Sequence, residues 1–371
     1  MRILQLGKFY PVKGGVEKVM YDLMTGLGQR GIDCDMLCAE SHGHGAATRI
    51  GSHARLITCR TWVKAASTTI SPSMTLTLRK IAKDYDIIHV HHPDPMAALA
   101  LRLSGYKGKV VLHWHSDIVK QKKLFRFYMP LQRWLINRAD VIVGTSPEYI
   151  LHSPWLAAVQ DKCRCVPIGI VPIAPDAEGA KAIREMWRDK KIVFFLGRLI
   201  AYKGLEYLVA AAAHLPEDYV VVIGGMGPLR DNLQQQIDMQ RINHKVKLLD
   251  EIPQEDLAAW YTACDVFCLP SVMKSEAFGI VQIEAMSLGK PVVATRIDGS
   301  GTAWVNEHGV SGLNVEPRDA RALAEAIVAV TKDAEEAARY SAGALARFNR
   351  LFHIDRMLDS MTETYKALDN V

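Results

Sequence analysis

Strand-length apolar runs alternate with helical periodicity from one end of this 371-residue chain to the other. In the first half the runs fall at Arg2–Leu6, Asp35–Cys38, Leu56–Thr58, Ile87–Val90, Val110–His113 and Val141–Gly144. In the second half they fall at Ile192–Leu196, Val220–Ile223, Val246–Leu249, Val266–Leu269, Val292–Thr295 and Leu313–Val315. Such alternation predicts parallel sheets with helices on both faces, because a parallel crossover needs a helix-length return. The length exceeds one ordinary core and suits two domains. Pro167, Pro172 and Pro175 around Gly169 mark a linker between the halves. The predicted boundaries are 1–170, 171–351 and a closing helix over 352–371.

The densest chemical signal is Lys274-Ser-Glu-Ala-Phe-Gly-Ile-Val-Gln-Ile-Glu-Ala-Met286. Glu276 lies in a loop after an apolar strand, and Glu284 lies on the helix that the loop opens into. Gly279 lets a ligand approach the backbone, and the helix N-terminus offers amides and partial positive charge to an anion. A phosphate with a carboxylate on either side suits a sugar nucleotide. Glu276 would reach the sugar hydroxyls and Glu284 the ribose diol, with Ala277 and Phe278 between them. Upstream, Arg198 and Lys203 flank a loop at the carboxyl end of a strand, where open α/β sheets bind ligands. Arg supplies a planar fork for phosphate oxygens and Lys a compact charge. The turn Gly224-Gly-Met-Gly-Pro228 half-matches a dinucleotide fingerprint, but Arg230 stands where the last glycine would be.

In this order the chain resembles the retaining, nucleotide-sugar-dependent glycosyltransferases of family 4. The resemblance rests on Gly14-Gly15-Val16-Glu17, His115 in His-Trp-His-Ser-Asp, Arg198, Lys203, Gly225 and Gly227-Pro228, and Glu276 with Glu284. It implies an α/β GT-B fold: two Rossmann-like, doubly wound parallel-sheet domains facing across a cleft. It also implies transfer with retention and no required metal or other cofactor. The residues it makes catalytic are Glu276, His115, Arg198 and Lys203. Gly14, Gly15, Gly225, Ala277, Phe278, Gly279 and Glu284 join Arg198, Lys203 and Glu276 around the donor. In Val166-Pro-Ile-Gly-Ile170 this chain has Ile168 where the family often has Asn.

Within the family the resemblance is to bacterial enzymes that build O-antigen or capsule on a polyprenyl-diphosphate carrier. It implies a GDP-mannose donor and a lipid-linked saccharide acceptor. A UDP-sugar donor, an epimerase or hydrolase on the same fold, and a catalytically silent sugar-binding protein are the competing readings. Retention often implies a covalent nucleophile. The placement of Glu276 resembles a sugar-hydroxyl ligand instead, which leaves front-face transfer in which the departing phosphate accepts the acceptor's proton.

Charge is divided unevenly. Residues 1–175 hold 23 Lys and Arg against 12 Asp and Glu, and the remainder holds 22 against 28. The first half is therefore at +11 and the second at −6. Basic residues concentrate in Lys120–Trp134, where Leu124, Phe127, Tyr128, Leu131 and Leu135 share one helical face and Lys122, Lys123, Arg126 and Arg133 the other. Phe125 and Met129 lie at the margin. This pattern predicts docking on an anionic membrane surface. No nucleic-acid module accompanies it, so nucleic acid is not an expected partner.

Seven cysteines, an odd number, point to a reducing compartment. Cys34 and Cys38, near His42 and His44, would sit ~13 Å apart on one strand at ~3.3 Å per residue, too far for one zinc. Asp33-Cys-Asp35 spells a metal-binding D-x-D but precedes a strand instead of following one. It reads as a turn. The first residues enter a strand directly and predict no signal peptide, and no run reaches the roughly 20 apolar residues of a membrane span. The expected location is cytoplasmic, peripheral on the membrane's inner face.

Overall fold

A computed structural model describes residues 1–12, 14–40, 45–65, 68–118 and 122–369. The chain forms two compact units, one of residues 1–169 with 355–371 and one of residues 170–354. The first unit carries β1 (Arg2–Tyr10), β2 (Asp33–Glu40), β3 (Ala46–Arg49), β4 (Arg55–Arg60), β5 (Val63–Ala65), β6 (Thr68–Ile70), β7 (Ile87–His92), β8 (Lys109–Trp114), β9 (Val141–Gly144) and β10 (Cys163–Cys165). Its main sheet runs β10-β9-β8-β7-β1-β2-β4-β3, and β5 pairs with β6 in a separate ribbon. Every pair in the main sheet is parallel except β3 with β4.

The second unit carries β11 (Lys191–Leu196), β12 (Tyr219–Gly224), β13 (Val246–Leu249), β14 (Val266–Leu269), β15 (Val292–Thr295) and β16 (Gly312–Val315). They form one parallel sheet in the order β13-β12-β11-β14-β15-β16. Tyr219–Gly224, Val266–Leu269 and Val292–Thr295 are buried at every position, as strands covered on both faces require. Five of the described helices start where a short polar side chain satisfies first-turn amides. Asp94, Ser146, Asp176, Asp319 and Asp333 each accept from backbone N–H groups of the helix they precede.

Four strands escaped the sequence pattern. Ala46–Arg49 is exposed along its length and has no apolar period to read, while β5, β6 and β10 are three residues each. The D-x-D segment is strand, not turn. Asp35 accepts from the Arg55 guanidinium at 2.6 Å and the Tyr85 hydroxyl at 2.6 Å, and Asp33 bonds His53 at 2.8 Å. Cys34 and Cys38 are buried free thiols, and His42 and His44 lie outside the described residues.

The helix Lys122–Arg138 corrects the wheel. Phe127 is 85% exposed, whereas Phe125 packs edge-on against Tyr128 and Trp155. The buried face follows Tyr128, Gln132, Leu135 and Ile136. The fully buried Gln132 belongs to the packed face, and Phe127 does not. The side chains of Lys122, Lys123 and Leu124, like Lys120, lie outside what is described.

The last helix, Ile354–Asp369, belongs to the first unit. It buries Met357, Leu358, Met361, Tyr365 and Leu368, and Arg30 clamps its outer face through Asp355 at 2.7 Å and Asp359 at 2.6 Å. Met361 is fully buried. Met361→Ala should therefore lower the unfolding free energy of the first unit by ~2–5 kcal/mol, measured by urea denaturation.

Candidate active site

In the second unit the strand order reverses between β11 and β14: the chain steps from β11 outward to β12 and β13, then returns to β14 on the other side. Ligands of open α/β sheets bind beyond the carboxyl ends of strands at such a switch point. Arg198 and Lys203 lie in the segment after β11, and Glu276 lies in the loop after β14. Val272 N–H donates to the Tyr202 carbonyl at 2.8 Å and so ties the two loops together.

Lys203 and Glu276 form an ion pair at 2.5 Å, with only 7% and 8% of each residue exposed. The same carboxylate oxygen, Oε2, accepts from the Ser271 hydroxyl at 2.9 Å. From sequence the two residues are expected at separate parts of a ligand. A charge this buried needs an opposite partner, and each is the other's. Ser300 donates to the Glu276 carbonyl, and Gly301 N–H donates to the Ala277 carbonyl at 2.9 Å, so the loop is held from the β15 side. Arg198 differs. It is exposed, and among the described residues no carboxylate pairs with its guanidinium.

Gly279 caps the helix Ile280–Ser287 at φ +79°, a conformation that disfavours any side chain. Behind it Gln282 N–H donates to the Gly279 carbonyl at 2.9 Å, and the amides of Ile280 and Val281 precede the first intrahelical bond. Gly225 has a structural duty. At φ +133° a Cβ there would lie 2.0 Å from the Gly197 carbonyl oxygen, so the turn after β12 can lie against the loop after β11 only with glycine. Phe278 is buried edge-on against Phe352, which leaves its backbone as what a ligand can touch, and Ala277 is half-buried. Glu284, half-buried on the helix, accepts from the Tyr261 hydroxyl at 2.6 Å. Burial first and Glu284 second push the Tyr261 pKa well above its ordinary value, so Tyr261 stays a donor.

In the first unit, Gly14 is the exposed N-cap of the helix Gly15–Gln29, after β1. His115 follows β8 directly and is 5% exposed. It joins a stack: His113 lies 4.0 Å from His115 and 5.2 Å from His89 between ring centroids, and His91 lies 5.2 Å from His115. The pairing of His91 with His113 across β7 and β8 explains the placement, since alternate residues of neighbouring strands share a face.

His89, His91 and His113 bring ligand atoms within 4.8 Å of one another, the one His, Cys, Asp or Glu group of metal-like spacing among the described residues. The rings stack instead of converging. Both His91 nitrogens are already engaged, by His115 at 2.9 Å and Gln5 at 2.7 Å.

Residues 13–170 match the family model Glycosyltransferase Family 4, and residues 180–347 match Glycosyl transferases group 1. The chain is 32% identical to O-antigen chain mannosyltransferase C of Escherichia coli over 99% of both chains. It is 32% identical to D-rhamnosyltransferase WbpZ of Pseudomonas aeruginosa over 95% of this chain and 92% of that one. The chain belongs to glycosyltransferase family 4. Among solved structures it is similar to sucrose-phosphate synthase from Thermosynechococcus elongatus, with a TM-score of 0.81 and 23% identity over 100% of both chains. It is also similar to Anabaena HepE in complex with UDP-glucose, with a TM-score of 0.76 and 20% identity over 99% of this chain and 100% of that one. These likenesses show the GT-B fold.

Two polar residues of this family 4 glycosyltransferase were not legible beforehand. Ser271 and Tyr261 position the two glutamates, yet a serine after a strand and a tyrosine within an apolar helical pattern carry no signal of their own. The histidine stack makes a further property of the glycosyltransferase testable. Burial pushes the His113 pKa down to about 3 from 6.5 and holds His89, His91, His92 and His115 well below their ordinary value. The unfolded chain then binds more protons than the folded one between about pH 6.5 and 3, so stability falls as pH drops through that window. Each group contributes at most about 1.4 kcal/mol per pH unit. His113, both of whose ring nitrogens are buried without a partner, is the group to replace. His113→Leu should make the urea-unfolding free energy less steep between pH 6.5 and 4.

Proposed function

We propose that this protein is a retaining, metal-independent hexosyltransferase that moves mannose from GDP-mannose onto a lipid-linked saccharide of a cell-surface polysaccharide. The observation that carries the proposal is the buried Lys203–Glu276 pair at the switch point of the second sheet, between the loop that also carries Arg198 and the Gly279-capped helix. The names of the two relatives support the sugar, because rhamnose is 6-deoxymannose and both therefore describe a manno-configured unit.

The diphosphate takes its charge stabilisation from Arg198, from the ammonium protons of Lys203 not directed at Glu276, and from the helix amides. Glu276 keeps its Oε1 for hydroxyls of the sugar, and Glu284, oriented by Tyr261, takes the ribose diol. The acceptor oxygen forms its bond to the anomeric carbon as the bond from that carbon to the β-phosphate oxygen breaks. The bonding pair leaves with the nucleoside diphosphate, whose oxygen receives the acceptor proton. His115 meets a hydroxyl of the donor or the acceptor. These protein groups supply the positive charge that a divalent cation would otherwise bring.

Arg198 and Lys203 should part company on substitution. Arg198→Ala should lower turnover roughly 100- to 1,000-fold with its thermal midpoint unchanged, the scale of losing one transition-state donor. Lys203→Ala should lose turnover and also about 3–5 kcal/mol of stability, since it leaves a buried carboxylate unpaired. EDTA should change little. Strict dependence on added Mg²⁺ or Mn²⁺, with Arg198→Ala near wild type, would reject the mechanism.

Delivery to a lipid-linked acceptor fits the surface of the first unit. Arg126, Phe127 and Arg133 are exposed on the helix Lys122–Arg138, and Leu99 and Leu103 are exposed on the adjacent helix Pro95–Ser104. Among the described residues no helix is long and apolar enough to cross a membrane. Basic residues near an anionic leaflet contribute about 1 kcal/mol each, decaying over a Debye length of ~8 Å at physiological salt. The protein should therefore co-sediment with anionic but not neutral vesicles. It should lose that binding in high salt and when Arg126, Phe127 and Arg133 are all replaced by Glu.

A further inference from the structure

The central strand of the first sheet carries a glutamine where an apolar residue would ordinarily sit. Gln5 is fully buried in β1, flanked in register by Met36 of β2 and His89 of β7. A buried amide is costly unless its hydrogen bonds are made, and Gln5 makes them in one direction. Its Nε2 donates to the Tyr365 hydroxyl at 3.2 Å and towards the Cys34 sulfur at 3.5 Å. Its Oε1 therefore faces His91 Nε2, at 2.7 Å.

A carbonyl oxygen only accepts, so the His91 proton is on Nε2. A neutral imidazole has one N–H, and burial with its histidine neighbours keeps His91 neutral. His91 Nδ1 is then bare and accepts from His115 Nε2 at 2.9 Å. That assigns the His115 proton to Nε2. At the other end, the Tyr365 hydroxyl accepts from Gln5 and donates to His89 Nδ1 at 2.6 Å. All four links are between buried side chains, and all point the same way.

We infer that Tyr365, Gln5 and His91 are positioning residues that set the tautomer of His115, holding its Nδ1 as a bare acceptor for a hydroxyl of the donor sugar or the acceptor. The inference rests on the proposed place of His115 in the transfer reaction and extends it to three residues that touch no substrate. It also gives the closing helix a duty beyond packing. Tyr365 anchors the chain of bonds 250 residues from His115 in sequence, on a helix fixed by Arg30 and its two aspartates. Polarity is the specific content: a 180° turn of the Gln5 amide would reverse every link and put the His115 proton on Nδ1.

The test uses the full-length protein labelled with ¹⁵N-histidine, read by long-range ¹H–¹⁵N correlation at pH 7.5, beside steady-state transfer kinetics. Wild type should show His115 protonated at Nε2. Gln5→Leu should give a mixture of tautomers and lower kcat/KM about 10- to 100-fold, the scale of removing a partner that orients a functional histidine. Tyr365→Phe should shift both readouts the same way by a smaller factor, and it preserves the core shape should Gln5→Leu fail to fold. In a His115→Ala background the Gln5→Leu or Tyr365→Phe change should cost no further activity, because a residue acting through His115 has nothing left to orient. A wild-type His115 protonated at Nδ1, an unchanged tautomer in both variants, or losses that add fully to His115→Ala would each overturn the relay. His115→Ala with near-wild-type transfer would instead overturn the reading of the site on which the relay rests.

Discussion

Parallel strands buried on both faces leave the chain little room for polar chemistry except at their carboxyl ends, and that restriction organises the second unit. Beyond Lys191 at the start of β11, the side chains of β11, β12 and β14 are almost all apolar, so the charged groups of the site stand in the loops beyond their carboxyl ends. Where the strand order reverses, two of those loops meet, and Lys203 and Glu276 are buried there together. Burial at this depth makes each charge depend on the other. Ser271 and the backbone bonds from Val272 to Tyr202 then set where the pair stands. The site is thus held by paired charges and loop-to-loop hydrogen bonds, a firmer support than surface loops usually have.

The first unit departs from that restriction. One face of β1, β7 and β8 holds Gln5, His89, His91 and His113 beneath His115, all inside the protein. Neutral imidazoles tolerate this by stacking and by passing hydrogen bonds along Gln5 and Tyr365. The arrangement is incomplete, since His89 Nε2 and both nitrogens of His113 have no partner. Unpaired buried groups of this kind cost stability that a hydrocarbon core would not lose. They are concentrated beneath the strand end that carries His115.

Much of this was legible in advance. Strand-length runs and helical periods identified the two parallel sheets, and the turn residues after them put Arg198, Lys203 and Glu276 in loops beyond strand ends and Glu284 on a helix. The misreadings have physical causes. Phe127 falls on the expected apolar face yet is 85% exposed, and Gln132 is fully buried, because apolar spacing does not register a buried amide. Ala46–Arg49 forms an edge strand with nothing apolar to announce it. Glu276 and Lys203 were given separate tasks because residues 73 positions apart show no sign of pairing until the loops after β11 and β14 are brought together.

The sequence alone determined the fold class and which charged residues stand in the loops beyond the strands, because periodicity and turn chemistry are local properties. The tertiary structure decided which charges pair, which glutamate is oriented by Tyr261, and how Gln5 joins the closing helix to His115. Those choices depend on distances between segments far apart in the chain and on the loss of water around them. Neither is written in any local pattern.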